Sequence, residues 1–454
     1  MPALFDENTS ALALGRLIGA GRLDPRDLAR FYLDRAQALD PDRRIYISLL
    51  EKRALCEAGA AAERARNGQR RGPLDGVPVS WKDLFDLEGT ATASGSLLRT
   101  DHIAVHDAEV VARATRAGLV ALGRTTMTEF AFSGLGINPH FGTPANPFDS
   151  HVERVPGGSS SGAAVSVARG LAAAAFGTDT GGSIRIPAAW NGLVGLKTTA
   201  GLVPLDGVAP LSPSLDSVGA ITRDVEDAAA FLGLMTREKP VDLDGVSIKG
   251  AVLLLPGGRA WEDLDTSVAR ALEGAIQRLV RKGARIVEQA LPELDEIDDL
   301  AWTLPATRLV SEAFALWGDL LAAGKDKVYP PVYDRLMAGA NMKAGDLVRS
   351  DLRRAEITRR YLAATAGVDA VLLPAVSIGA PAIADLAGGG PAYFQANRKA
   401  LRNTTMGNQL GLCAITLPAG YDTNGVPVGL MLQSAPYTEK KLLRLARACE
   451  LARG

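Results

Sequence analysis

From about residue 72 onward, short apolar runs alternate with segments whose apolar residues return at helical spacing. The runs at 119–122, 171–176, 251–255, 370–373 and 413–417 are bounded by polar or turn residues, a pattern that predicts buried strands. Segments 161–170, 225–234, 268–282 and 439–451 read as helices. Upstream, Asp24-Pro25 has the cap-then-proline order of a helix start, and Leu28, Phe31, Tyr32, Arg35 and Leu39 follow at helical spacing. The Ala-, Arg- and Glu-rich residues 51–68 predict a second surface helix, so the N-terminal region is expected to be helical from about 10 to 68. Residues 297–366 read as a mainly helical insert interrupted at Pro330-Pro331. Residues 384–391, with Gly388-Gly389-Gly390, read as a flexible loop. Strand-helix alternation of this kind predicts a layered α/β fold with helices on both faces of the sheet. The polar segment 236–245 is the best linker candidate, but the same texture continues beyond it. The expectation is therefore one domain over 1–454.

Composition narrows the function. With 50 basic and 51 acidic residues the net charge is −1, which gives no electrostatic footing for nucleic acid or an anionic membrane. No stretch approaches the ~18 apolar residues of a membrane span. Cys56, Cys413 and Cys449 are scattered and odd in number, which favours a reducing compartment over a disulfide framework. The N-terminus lacks the basic-then-apolar order of a secretory signal. These features point to a cytoplasmic protein.

The chemistry concentrates in residues 156–187, which hold two Gly-Gly-Ser turns, at Gly157-Gly158-Ser159 and Gly181-Gly182-Ser183. Glycines beside a serine let a ligand approach the backbone and expose N–H groups, as an acyl-transfer nucleophile requires. A flexible linker would not be flanked by Ala/Val-rich segments fit for burial. A phosphate-binding loop needs Lys then Ser/Thr after its last glycine, whereas Ala163-Ala164 follow Gly162. Residues 158–162 also match the nucleophile elbow G-x-S-x-G around Ser160. That fold needs a histidine downstream of the serine, and His102, His106, His140 and His151 all lie upstream. His102 and His106 lack the glutamate order of a zinc helix, so no metal site is expected.

Lysine remains as the base. Lys82, after Val77-Pro78-Val79 and beside Trp81, sits where burial is expected. An exposed lysine is protonated at neutral pH, and burial is what brings its pKa down to roughly 7–8. Taken alone, Lys82 paired with Asp83 would be an ordinary lysine. The two serine turns change that reading.

Lys82-Asp83, residues 157–162 and residues 179–187 together resemble the amidase signature family, whose pattern is a V-K-D lysine, then G-G-S-S-G-G, then D-x-G-G-S-x-R-x-P. The resemblance covers most of the chain, including 123–127, 129–131, 192–197, 214–216, and 408–418 and 425–430 as closing strands. It implies a single large mixed sheet and a Ser-cisSer-Lys triad. Ser183 would be the nucleophile, Ser159 (after a cis peptide bond) the proton relay, and Lys82 the base. The N–H groups of Thr180, Gly181, Gly182 and Ser183 would form the oxyanion hole. Asp179 and Arg185 would brace the turn, and Ala131, Phe132 and Ser133 would floor the substrate pocket.

Three positions depart from the family pattern. Trp81 replaces a small residue, Ser161 stands where glycine is common, and Ile186 follows Arg185 where the A component of glutamyl-tRNA amidotransferase usually has glutamine. The reading is thus a stand-alone amidase without cofactor, acting through an acyl-enzyme on a small-molecule amide and forming, by family analogy, a homodimer. The alternatives are the ammonia-supplying glutaminase component of a tRNA-charging complex and an inactive relative serving as a binding module. Trp81, Phe132, Trp302 and Trp317 hint at an aromatic or apolar acyl group.

Overall fold

The structure, a computed structural model, describes residues 4–302, 307–386 and 388–453. Residues 303–306 of the expected insert and Ala387 of the expected loop lie outside the described residues.

Eleven strands among the described residues form one mixed sheet. They are β1 Tyr46–Leu49, β2 Pro78–Lys82, β3 Val120–Thr125, β4 Ala174–Thr178, β5 Val194–Lys197 and β6 Val218–Thr222, followed by β7 Val252–Leu255, β8 Arg285–Glu288, β9 Ala370–Pro374, β10 Cys413–Tyr421 and β11 Pro427–Ser434. Their spatial order is β1-β3-β2-β4-β6-β5-β10-β11-β9-β7-β8. The β3-β2-β4 and β9-β7-β8 neighbours are parallel, while the middle of the sheet, from β4 through β6, β5, β10 and β11 to β9, is antiparallel.

Period-two alternation along the strands divides their side chains between two cores. Leu253, Leu372, Ile415, Leu430 and Leu432 join a cluster built with the helices Val225–Thr236, Thr266–Arg281 and Glu439–Leu451. Their neighbours Leu254, Val371, Leu373, Ala414 and Met431 join the larger cluster, with the helices Pro292–Trp302, Arg308–Ala323, Ala344–Ala364 and Pro391–Gln409. Helices therefore cover both faces, as the alternation predicts. The helix Thr266–Arg281 shows why: Val268, Leu272, Ala275 and Leu279 return every three or four residues and form its buried stripe.

Local chemistry explains where elements begin and end. The Asp24 side chain accepts from Arg26 N at 2.9 Å with Pro25 at the first helical position, so the helix Pro25–Leu39 starts where its cap predicts. Pro330 begins the helix Pro330–Met337, so the Pro330-Pro331 pair starts a helix. Several expectations are corrected. The run at 171–176 is a strand only from Ala174, because Leu171 N turns back to Ser166 O (2.7 Å) to close the preceding helix. Strand β1 interrupts the N-terminal helices. Asn408 and Gln409, expected in a closing strand, end the helix Pro391–Gln409.

Leu432, fully buried in β11, tests the two-faced core. Leu432→Ala is expected to lower unfolding stability by about 2–5 kcal/mol, read from the denaturant midpoint.

Candidate active site

Strand β2 lies between β3 and β4 and runs parallel to both, so the carboxyl ends of β2 and β4 reach the same edge of the sheet. Lys82 is the last residue of β2 and Thr178 the last of β4. Alternation turns Ser80 and Lys82 to one face, where Ser80 Oγ meets Ser166 Oγ of the helix Ser161–Ala168 at 2.8 Å. It turns Trp81 to the other face, stacked on Phe176 with ring centroids 4.1 Å apart. Trp81 is therefore core, and the hint that it shapes an acyl pocket is corrected.

The Lys82 amine is 0 % exposed. Its Nζ lies 2.8 Å from Ser159 Oγ and 2.8 Å from Thr178 Oγ1. Burial strips the ammonium of water and pushes its pKa down to about 7, against the opposing pull of the Asp179 and Asp216 carboxylates.

The two glycine-serine turns meet through their backbones, with Ser160 N donating to Ser183 O at 3.2 Å. In the first turn the Gly158–Ser159 peptide bond is cis. Segment 128–134 clasps it from both sides: Gly158 N donates to Gly134 O (2.8 Å) and Thr128 N donates to Ser159 O (3.1 Å). A Cβ on Gly158 would come within 2.5 Å of Gly136 N, so only glycine permits this approach.

The second turn is bracketed by Asp179 and Arg185, both buried. Arg185 Nε and Nη2 donate to the two Asp179 oxygens at 3.0 and 2.8 Å, and Ile184 N and Arg185 N donate to Oδ2. Burial alone would raise the Asp179 pKa. The Arg185 guanidinium overrides it and holds this carboxyl well below the usual range. Asn408 donates to Asp179 Oδ1 (2.9 Å) and accepts from Arg185 Nη2, closing the group. Thr404 and Thr405 hydroxyls donate to Gly181 O at 2.6 and 3.1 Å. Gly182 has φ 138°, and a Cβ there would fall 2.1 Å from Thr404 Oγ1. The N–H groups of Thr180, Gly181, Gly182 and Ser183 have no acceptor among the described residues. Four consecutive donors at one bend are thus free of the described residues.

A cavity of about 280 Å³ opens beside them. Ala131, Phe132, Ser133, Thr180, Gly181 and Ser183 all line it, whereas Lys82 and Ser159 are fully buried. The far wall comes from the helical region and includes Trp302 and Arg335. Trp317, also named from the sequence, instead donates from Nε1 to Pro210 O (2.8 Å) and packs on Phe130.

Arg335 lies over the Phe132 ring at 4.3 Å and the Trp302 ring at 5.3 Å, and its Nη1 donates to Phe132 O at 3.0 Å. It forms no ion pair with a carboxylate among the described residues, whereas nearby Arg398 binds Asp298 with two hydrogen bonds. Burial lowers the Arg335 pKa to about 10, which leaves it charged at neutral pH.

Sequence reasoning missed Thr178, Thr404, Thr405 and Arg335. For Thr178, its place at the end of an apolar run two residues ahead of Thr180 was a usable signal. The polar run at 402–405 inside a buried helix was another.

Comparison with known proteins agrees with this geometry. A family model described as Amidase matches residues 27–443. The chain is 39% identical over 419 residues to the 2-amino-5-chloromuconic acid deaminase of Comamonas testosteroni, covering 91% of this chain and 89% of that protein. It is 33% identical over 462 residues to the A component of the glutamyl-tRNA(Gln) amidotransferase of Geobacter metallireducens, covering 94% and 93%. A crystal structure described as an amidase superposes with a TM-score of 0.88 at 33% identity, covering 98% of this chain and 99% of the other. The chain belongs to the amidase signature family and is an enzyme that hydrolyses amide C–N bonds.

Proposed function

We propose that Ser183 is the nucleophile, Ser159 the proton relay and Lys82 the base of a stand-alone amidase acting on small amides that carry a carboxylate. The observation that carries the catalytic reading is the buried Lys82 amine, 2.8 Å from Ser159 Oγ, beside four free N–H donors at the Ser183 turn. A neutral amine that donates one hydrogen to Thr178 Oγ1 directs its lone pair at Ser159. The Ser159 hydroxyl passes its proton to Lys82 and takes the proton of Ser183, whose oxygen attacks the amide carbon. The carbonyl oxygen gains charge and is held by the N–H groups of Thr180, Gly181, Gly182 and Ser183. The proton returns from Lys82 through Ser159 to the departing nitrogen, and the C–N bond breaks to leave an acyl ester on Ser183. Water, deprotonated by the same relay, releases the acid. Asp179 and Arg185 act only as braces of the turn.

Arg335 supports the carboxylate. A charged guanidinium that pairs with no anion among the described residues, held between two rings in the wall of the cavity that Ser183 lines, matches an acidic group on the substrate. Phe132 and Trp302 suit an unsaturated or apolar link between that group and the scissile bond. The Comamonas relative is named for an acid, 2-amino-5-chloromuconic acid. Its greater identity favours this reading over a component of a tRNA-charging complex. The unbroken eleven-stranded sheet supports treating 1–454 as one domain. Among the described residues no helix is long and apolar enough to cross a membrane. The three unpaired cysteines support a cytoplasmic enzyme, for which we keep the homodimer as the family-based expectation.

Three measurements test these roles. Ser183→Ala and Lys82→Ala are each expected to lower kcat by roughly 10³-fold or more on a good amide, with circular dichroism and melting unchanged. Turnover near the wild-type rate in either variant would refute the triad. In the wild type, kcat/KM should rise with pH through about 7, because Lys82 acts only after losing its proton, and then level off. A flat profile across that range removes Lys82 as the base. Arg335→Met should raise KM roughly ten- to hundred-fold for an amide bearing a carboxylate while leaving its uncharged methyl ester analogue little changed. Equal effects on both would remove the carboxylate from the proposal.

A further inference from the structure

Asp216 is a buried carboxylate with no part in the scheme above. The ladder between β4 and β6 places it. Thr178 pairs with Val218, and the pairing continues past the strand ends as Asp179 N to Ser217 O (2.8 Å) and Ser217 N to Asp179 O (3.2 Å). The next pair in this register sets Asp216 opposite Thr180. Thr180 Oγ1 donates to Asp216 Oδ1 at 2.5 Å, and the N–H groups of Leu211 and Ser212 donate to Oδ2 at 2.9 and 3.1 Å. Thr180 and Leu211 both line the cavity that holds Ser183. One carboxylate thus joins two segments of the cavity wall.

Its charge is also unusual. Asp179, one position along the ladder, is neutralised by Arg185 and hydrogen-bonded by Asn408, and Lys197 lies in the same field. Asp216 forms no ion pair among the described residues. On the Ser212 side, Glu312 accepts from Ser212 Oγ and Ser214 N and itself pairs with Arg308. The cation that bears on Asp216 is Lys82. Each group responds to the other: burial raises the Asp216 pKa to about 6 against the hydrogen bonds from Thr180, Leu211 and Ser212 and then the pull of Lys82, while Asp216 adds to the larger pull of Asp179 on the amine.

A buried base faces conflicting demands. Burial keeps the resting amine neutral, yet the same amine must hold a proton during turnover. An unneutralised anion in the same enclosed region favours the protonated form and so strengthens the base. We propose that Asp216 is a positioning residue for the reaction: it fixes the Thr180 end of the donor turn and supplies the negative charge that stabilises protonated Lys82 during acyl transfer. This rests on Lys82 being the base.

The test is the pH dependence of kcat/KM for Asp216→Asn. The amide can keep every contact, with its oxygen accepting from Leu211 N and Ser212 N and its NH₂ donating to Thr180 Oγ1, so the change removes charge more than shape. The acid limb of the profile should move to lower pH by roughly half a unit to one unit, because Lys82 is then easier to deprotonate. The plateau kcat should fall about three- to tenfold, since the weaker base takes the proton less readily. Asp216→Ser, a second neutral variant, should show the same displacement with a larger loss of kcat, because the Thr180 contact is lost as well. A limb that stays at the wild-type pH in whichever neutral variant folds, whatever the loss of rate, would reduce Asp216 to a structural residue and overturn the proposal. If the wild type shows no limb near neutrality, or Lys82→Ala is active, the assignment of the base fails and takes this inference with it. The two failures are therefore distinguishable.

Discussion

The bidentate contact between Asp179 and Arg185 is the interaction on which the site depends. It joins residues six positions apart, and between them the chain must turn, present four N–H groups and begin the helix Arg185–Trp190. An unpaired carboxylate in this position would be buried without compensation, at a cost of several kcal/mol. The pair, with Asn408 on its flank, therefore holds the turn in one arrangement. Once Asp179 is occupied by Arg185 and by the N–H groups of residues 184 and 185, the preceding N–H groups of residues 180–183 are left without an acceptor among the described residues. Thr404 and Thr405 fix the opposite side of the turn by taking up Gly181 O. The free donors are a consequence of satisfying everything around them.

The same economy of contacts governs the lysine. Lys82 projects from β2 onto the face that the helix Ser161–Ala168 covers, where Ser159 and Thr178 meet its amine, so it is fully enclosed. Trp81, turned the other way, seals the opposite face against Phe176. Small residues of the helix Ser161–Ala168 let it lie close over β2 and β4 and bring the first serine turn to the amine. Enclosure lowers the proton affinity of Lys82, and the carboxylates of Asp179 and Asp216 limit how far it falls. The balance sits near neutrality, where a general base is most effective.

Much of the fold was legible because it depends on local pattern. The helix Pro25–Leu39 announces itself by cap and periodicity, Glu439–Leu451 by periodicity, and the strands at 252–255, 370–374 and 413–421 by apolar runs. The elements that escaped notice lack such marks. Strand β8 has an exposed-to-half-buried edge pattern, β5 is four residues long, and the helix Pro391–Gln409 hides a polar run in its buried half. Thr404, Thr405 and Asn408 are satisfied by the donor turn and Asp179, and Arg402 and Asn403 by the carbonyls of Ala260, Glu262 and Pro374, all far away in sequence, so no window of the chain could explain them.

The serine turns, the lysine and the bracketing Asp179 and Arg185 were determined by the sequence itself, because glycine-dependent bends and a motif repeated across a family are written in neighbouring residues. Which groups complete the site was decided only by tertiary structure. Thr178 meets Lys82 because two parallel strands end together, and Asp216 meets Thr180 because an antiparallel ladder continues past its strands. Arg335 reaches the cavity from a helix more than 150 positions downstream of Ser183. Register and packing between distant segments carry those contacts, and neither has a signature within a single stretch of chain.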